Sequence, residues 1–165
     1  LLGAPGSGKT TFAEAMAFEG KVIDRRGSIE NENTLSDNTD LEHSNRRSIY
    51  STILYTEFMN HKLNIIDAPG SDDFSGGLFA AFKVADVGLM LFNAQNGFEV
   101  GSEIQSRYAK TYNVPLVGVI NQLDSEKANW EGTLESIASF SKVKPIVVQY
   151  PVNPGPGLPS STYCA

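Results

Sequence analysis

Gly3-Ala4-Pro5-Gly6-Ser7-Gly8-Lys9-Thr10 is the stretch on which the fold turns. It matches G-x-x-x-x-G-K-[ST] at every fixed position. Behind it, Thr10–Phe18 carries the apolar surface of a helix in Phe12, Ala13, Ala15, Met16 and Ala17, and Gly20 reads as its stop. Phosphate oxygens need donors at close range, and glycines let backbone N–H groups converge without Cβ clashes. The N-terminus of the following helix adds a partial positive charge. Lys9 is expected at the β- and γ-phosphates and the Thr10 hydroxyl on Mg²⁺. Gly3, Pro5, Gly6, Ser7, Gly8 and Thr11 complete the cradle. The motif implies a nucleoside triphosphate but does not say which base.

Outward from the loop, two further motifs stand at the ends of apolar strands. Asp67-Ala68-Pro69-Gly70 follows Leu63–Ile66. A carboxylate there lies on the ligand side of an α/β sheet, where Asp67 can hold Mg²⁺ through water and the Gly70 N–H can sense a γ-phosphate. Alone, D-x-P-G is an ordinary turn; one strand after a phosphate loop it is more. Asn121-Gln122-Leu123-Asp124 follows Leu116–Ile120. Asp124 can accept the N1–H and N2–H of guanine, donors that adenine lacks, while Asn121 would tie this turn to the phosphate loop. Alone, N-x-x-D is commonly a helix cap.

The remaining elements alternate. Ile49–Phe58 and Leu63–Ile66 read as strands of a hairpin, with Asn60-His61 at the turn. Phe79–Val84, Ser102–Tyr112 and Trp130–Phe140 read as helices, and Val87–Phe92, Leu116–Ile120 and Ile146–Gln149 as buried strands. Phe79, Phe82 and Trp130 are expected to pack in the interior. The fold class is α/β: a mainly parallel sheet with one antiparallel edge strand and helices on both faces. Between helix and hairpin, Asp24–Arg47 has only Ile29, Leu35 and Leu41 as large apolar residues. A loop this long is either functional or a disordered insertion.

Composition sets the limits. The chain has 165 residues, 41% hydrophobic and 19% charged, which suits one globular domain. Thirteen Lys and Arg against 19 Asp and Glu give a net charge of −6, against a domain that grips nucleic acid by itself. The single cysteine, Cys164, permits no internal disulfide. Apolar runs stop at about five residues where a membrane span needs ~20. His43 and His61 share no metal-ligand spacing and read as loop histidines. Residues 1–150 are expected to form the domain; Pro151–Ala165, with six Pro or Gly in fifteen residues, reads as linker or unfolded tail. Absence of an initiator Met and of a strand before Gly3 suggests a fragment truncated at both ends.

From Gly3 to about Asn153 the sequence resembles the GTP-binding domain of translational GTPases, most nearly elongation factor G. The resemblance rests on the three motifs and on Leu63–Gly70 followed by Asp73-Phe74, Val84-Ala85-Asp86, Asn93–Glu99 with Glu103, and Asn113-Val114-Pro115. It implies a P-loop GTPase fold, C-terminally incomplete because Pro151-Val152-Asn153 matches the entry to an inserted subdomain. It also implies GTP/GDP and Mg²⁺ as cofactors, the ribosome as partner and a cytoplasmic location. Asp24–Arg47 becomes the first switch loop, and Ser48 falls where the family has the threonine that closes on Mg²⁺. In hydrolysis Lys9 would neutralise developing charge and the backbone near Gly70 would hold the water.

Two residues depart from the pattern. Ser71 replaces the histidine that positions the attacking water, and a hydroxyl without imidazole orients that water poorly. Gln122 replaces the lysine whose stem covers the base. Arg25-Arg26 and Arg46-Arg47 bracket the long loop as possible RNA contacts or as solvated charges, and their spacing does not support an arginine acting in cis on the phosphates. Three functions follow in order: a GTP-hydrolysing elongation-factor-G-like switch acting in translocation; a ribosome-binding factor with little turnover, motivated by Ser71; and an ATP-dependent kinase. The last needs several phosphate-clamping arginines, but beyond Arg47 the chain has only Arg107.

Overall fold

The computed structural model describes residues 1–45, 47–71, 73, 75–142, 144–152 and 163–164. Phe74, Arg46 and Asn153 of the sequence reading, and most of the stretch from 151 to 165, lie outside them.

Helix α1 (Lys9–Glu19) springs directly from the phosphate loop, with Gly8 as N-cap in the left-handed region at φ 90°. Its far end shows why Gly20 is needed. Gly20 is not a left-handed cap, since its φ is −79°. A Cβ there would lie 1.7 Å from Thr56 Oγ1, so the glycine admits strand β1 (Thr52–Phe58) against the end of the helix. Thr56 Oγ1 donates to Met16 O at 2.9 Å across this contact.

Strand β1 pairs antiparallel with β2 (His61–Asp67), in register from Thr52↔Asp67 to Phe58↔His61. Met59 and Asn60 form the turn with φ 49° and 62°, the doubly positive pair that matches the twist of a two-residue hairpin. The turn therefore lies one residue before the expected Asn60-His61. The first strand also starts later than Ile49, because the amides of Ile49 and Tyr50 are engaged elsewhere.

Strands β3 (Gly88–Asn93) and β4 (Leu116–Asn121) are parallel and in register from Gly88↔Leu116 to Asn93↔Asn121. On the other side of β3, Leu2 forms a parallel bridge to Met90, and the Leu1 amino group donates to Ile66 O. Leu1-Leu2 thus joins the hairpin to the parallel strands and brings the ends of β2, β3 and β4 to the phosphate loop. Helices α3 (Ser75–Val84) and α4 (Val100–Thr111) pack together through Phe79 edge-on to Tyr108 at 4.8 Å and Phe82 stacked on Tyr112 at 5.9 Å. The core comprises Leu2, Ala68, Leu78, Phe82, Met90, Phe92, Ala109 and Val114. Helix α5 (Trp130–Ser141) is capped by the Asn129 side chain, and half-buried Trp130 meets Tyr150 edge-on.

Two expectations need correction. Ile146–Gln149 is not a strand: Ile146 and Val148 are 90% and 85% exposed and pair with nothing among the described residues. An apolar run becomes a strand only where a neighbour offers a ladder, and the only described partner of β4 is β3. Instead Pro151–Val152 (β5) pairs antiparallel with Tyr163–Cys164 (β6). The long loop also contains a helix, α2 (Asp40–Asn45). No helix among the described residues is long and apolar enough to cross a membrane.

Candidate functional site

The phosphate loop is fixed from beneath and from both sides. Gly3, Gly6 and Gly8 all have positive φ. A Cβ on Gly3 would come within 2.4 Å of Leu91 O and one on Gly8 within 2.4 Å of Asn121 Nδ2, so these two positions exclude side chains on space as well as conformation. Buried Gln105 of α4 accepts from Gly3 N at 2.7 Å through Oε1 and donates to Gly3 O at 3.3 Å through Nε2. Asn121 Nδ2 donates to Ser7 O at 2.9 Å, the tie anticipated between the N-x-x-D turn and the loop. Gln122, in the left-handed region at φ 60°, donates from Nε2 to Gly6 O at 2.8 Å. Asp124 lies in the same turn, exposed and with no hydrogen bond among the described residues.

Lys9 is 6% exposed, and its Nζ donates to Gly3 O at 2.9 Å and Ala4 O at 3.0 Å. Burial lowers its pKa to about 8, against the opposing pull of Asp67, Asp37 and Glu99. The second motif comes directly against it: a Cβ on Gly70 would meet Lys9 Nζ at 2.5 Å and Pro5 N at 2.9 Å. Ser71 is half-buried beside this glycine, its Oγ donating to Asp73 Oδ2 at 3.3 Å.

Thr10, Ser48 and Asp67, far apart in sequence, meet at one point. Thr10 Oγ1 donates to Asp67 Oδ2 at 2.8 Å and lies 3.2 Å from Ser48 Oγ. Asp67 Oδ1 is buried without a partner. Pro5, Gly6, Gly8, Lys9, Thr10, Thr11, Ser48, Gly70, Ser71 and Gln122 line one cavity of about 260 Å³. Gly3, Ser7, Asp67 and Asn121 support it from behind, and Asp124 is not part of its wall.

Sequence reasoning missed three acids. Asp37 is 5% exposed, lines the cavity, and neither carboxylate oxygen has a partner of good geometry. Burial raises its pKa, the nearby Ser48 hydroxyl offsets part of that rise, and the charges of Asp67 and Glu42 add to it. Glu14, buried on α1, accepts from Gly27 N at 2.9 Å and from Leu35 N. Glu42, buried on α2, accepts from Thr39 N, Thr39 Oγ1, Ile49 N and Tyr50 N. Burial alone would raise the pKa of Glu42, but these donors outweigh it and the net shift is downward. Glu42 had a local signal: Thr39-Asp40-Leu41-Glu42 is a capping box, with Thr39 Oγ1 accepting from Glu42 N in return. Asp37 and Glu14 had none.

The donor set suits a hard cation. Two hydroxyls and two carboxylates supply oxygen alone, and three of the carboxylate oxygens, Asp67 Oδ1 and both of Asp37, are buried without a partner. No group of three or more His, Cys, Asp or Glu among the described residues could hold a metal. Mg²⁺ here would need oxygens from a bound phosphate as well. His43 Nε2 lies 2.9 Å from Asp37 O and His61 Nδ1 2.8 Å from Met59 O, so both rings sit against backbone.

The family model for the elongation factor Tu GTP binding domain matches residues 1–159. Elongation factor G of Salinibacter ruber is 32% identical over 149 residues, 90% of this chain and 21% of that protein. Elongation factor G of Dehalococcoides mccartyi is 34% identical over 88% of the chain. The mitochondrial ribosome-releasing factor 2 of Danio rerio is 28% identical over 90%. A crystal structure from Thermus thermophilus superposes with a TM-score of 0.86 at 30% identity, covering 94% of this chain and 23% of that one. The chain thus spans about a fifth of the length of these relatives.

Proposed function

The chain belongs to the elongation factor Tu GTP-binding domain family, and from that premise we propose that it binds GTP with Mg²⁺ and acts, within a longer elongation-factor-G-like protein, as a hydrolysing switch for translocation on the ribosome. The observation that carries this reading is the meeting of Thr10, Ser48 and Asp67 across 38 and 57 residues of sequence, beside Lys9 and Gly70. Fold alone does not give such an arrangement a purpose; oxygen donors gathered at a phosphate loop do.

In this reading Lys9 turns from the Gly3 and Ala4 carbonyls to the β- and γ-phosphates. Thr10, Ser48 and Asp67 would hold the cation, and Asp37, which lines the same cavity, would add a further carboxylate. When bound, Mg²⁺ neutralises charge on the transferred phosphoryl oxygens. The Gly70 N–H reads the γ-phosphate, so the segments carrying Ser48 and Gly70 are held in the triphosphate state and released afterwards. Asp124 would select guanine, Asn121 would keep its turn on the loop, and Gln122 would cover the base without adding charge. A cytoplasmic site of action belongs to the same proposal.

Calorimetry with the full-length protein tests the reading: GTP is expected to bind far more tightly than ATP, and tighter ATP binding would end it. An ATP-dependent kinase is disfavoured because Arg107 pairs with Glu103 on its own helix, and Arg47 is the one arginine among the described residues that lines the cavity. Ser71 motivates a second reading, a ribosome-bound factor with little turnover. Ribosome-stimulated phosphate release separates the two. Background rates in the natural protein, with Ser71→His raising them on the order of tenfold or more, favour the slow factor.

A further inference from the structure

Ser48 has to be held near Thr10, and its tethers converge on one acid. Arg47 N donates to Glu42 O at 3.3 Å, while Ile49 N and Tyr50 N donate to Glu42 Oε1 at 3.0 and 3.2 Å. Both flanks of Ser48 are therefore fixed to a single residue six positions earlier. The other oxygen, Oε2, accepts from Thr39 Oγ1 at 2.8 Å and Thr39 N at 3.3 Å, closing the start of α2. Glu42 is 1% exposed and forms no ion pair among the described residues. A buried carboxylate without a cation depends wholly on its hydrogen-bond donors. Those donors in turn lose their acceptor if it is removed.

Glu14 does the same for the earlier half of the loop. It is 1% exposed, accepts from Gly27 N and Leu35 N, and so ties both ends of the 27–35 segment to α1. Gly27 permits the closure, since a Cβ there would lie 2.3 Å from Asn33 O. Thr52 Oγ1 then donates to Ser36 O at 2.9 Å, linking that segment to β1. The 24–47 stretch, nearly bare of large apolar groups, is organised by two buried carboxylates instead of a hydrophobic core.

We propose that Glu42 is a positioning residue for the cation site, setting the Ser48 hydroxyl against Thr10, with Glu14 anchoring the preceding segment to the helix behind the phosphate loop. The proposal rests on the reading of Ser48 as a group used when the γ-phosphate is present. Removal of Glu42 should then weaken the triphosphate state selectively. A side chain that merely stabilised the fold would weaken both nucleotide states alike.

The test is a double-mutant cycle in the full-length protein, with GDP and a non-hydrolysable GTP analogue measured for the natural protein, Glu42→Ala, Ser48→Ala and the pair. Glu42→Ala should lower affinity for the analogue about tenfold, the scale of a lost hydrogen bond to a charged group, and leave GDP affinity unchanged. The double variant should bind the analogue no worse than Ser48→Ala alone. Glu42→Gln, which keeps one acceptor oxygen, should fall between. Amide hydrogen exchange at Ile49 and Tyr50 in the nucleotide-free protein should be slow and should quicken in Glu42→Ala. Losses that multiply in the double variant, equal losses for both nucleotides, or unchanged exchange would each overturn the positioning role. A natural protein that binds no guanine nucleotide would overturn the reading of the site itself, and one that binds it but loses nothing in Glu42→Ala would overturn the positioning role alone.

Discussion

Lys9 shows how a single buried charge couples the site to pH. Burial has moved its pKa from 10.5 to about 8. A lowered folded-state pKa on a lysine means the buried ammonium disfavours folding below pH 8, by roughly 3 kcal/mol for a shift of that size. The penalty lifts as pH climbs from 8 toward 10.5. Phosphate oxygens favour the charged form, so nucleotide binding near pH 8.5 should take up a proton and affinity should fall above about pH 8. Titration calorimetry in two buffers with different protonation heats reads this directly; uptake as large at pH 6.5 as at pH 8.5 would contradict it. Lys9, Thr10, Asp67 and Asn121 were legible in the sequence because fixed local spacings announce them. Asp37 and Glu14 were not, because what distinguishes them is burial and partners up to 21 residues away.

Among the elements, the contact between α1 and β1 is the most exacting. Gly20 at φ −79° would accept any residue on conformational grounds; space alone requires glycine. Gly20→Ala should lower stability by about 1–3 kcal/mol, the ordinary cost of overpacking. Adding Thr56→Ala, which removes the oxygen 1.7 Å from the new methyl, should recover part of the loss but not all, because Glu57 O remains at 3.0 Å. Thermal melts of the single and double variants check this. The phosphate loop, its helix and the β1–β2 hairpin were readable because each has a local code. Helix α2 announced itself only through Thr39 and Glu42, too short a pattern to stand out. Ile146–Gln149 misled because an apolar run records composition, whereas a ladder needs a partner edge.

For the molecule as a whole, the core and the site share one seam. Met90 is 1% exposed and bridges Leu2, the residue before Gly3. Met90→Ala should cost about 2–5 kcal/mol, and GTP at a hundred times its Kd should return about 2.7 kcal/mol. Melting temperatures with and without nucleotide should therefore differ more visibly in the variant's usable range than in the parent. A variant that nucleotide fails to stabilise would show that damage to the seam had reached the loop. The parallel pairing of β3 and β4 was foreseeable from alternation and apolar strands, whereas the place of Leu2 beside Met90 was not, because two residues are too few to carry a strand pattern.

One arrangement bears on timing. Gln105 below, Asn121 at Ser7 and Gln122 at Gly6 grip the glycine loop through its own main chain. Such a vessel is shaped by its own side chains, and the Lys9 head group, which sits on the Gly3 and Ala4 carbonyls, must swing to meet a phosphate. Entry should then be quick, and the dwell time of the switch should be governed by departure.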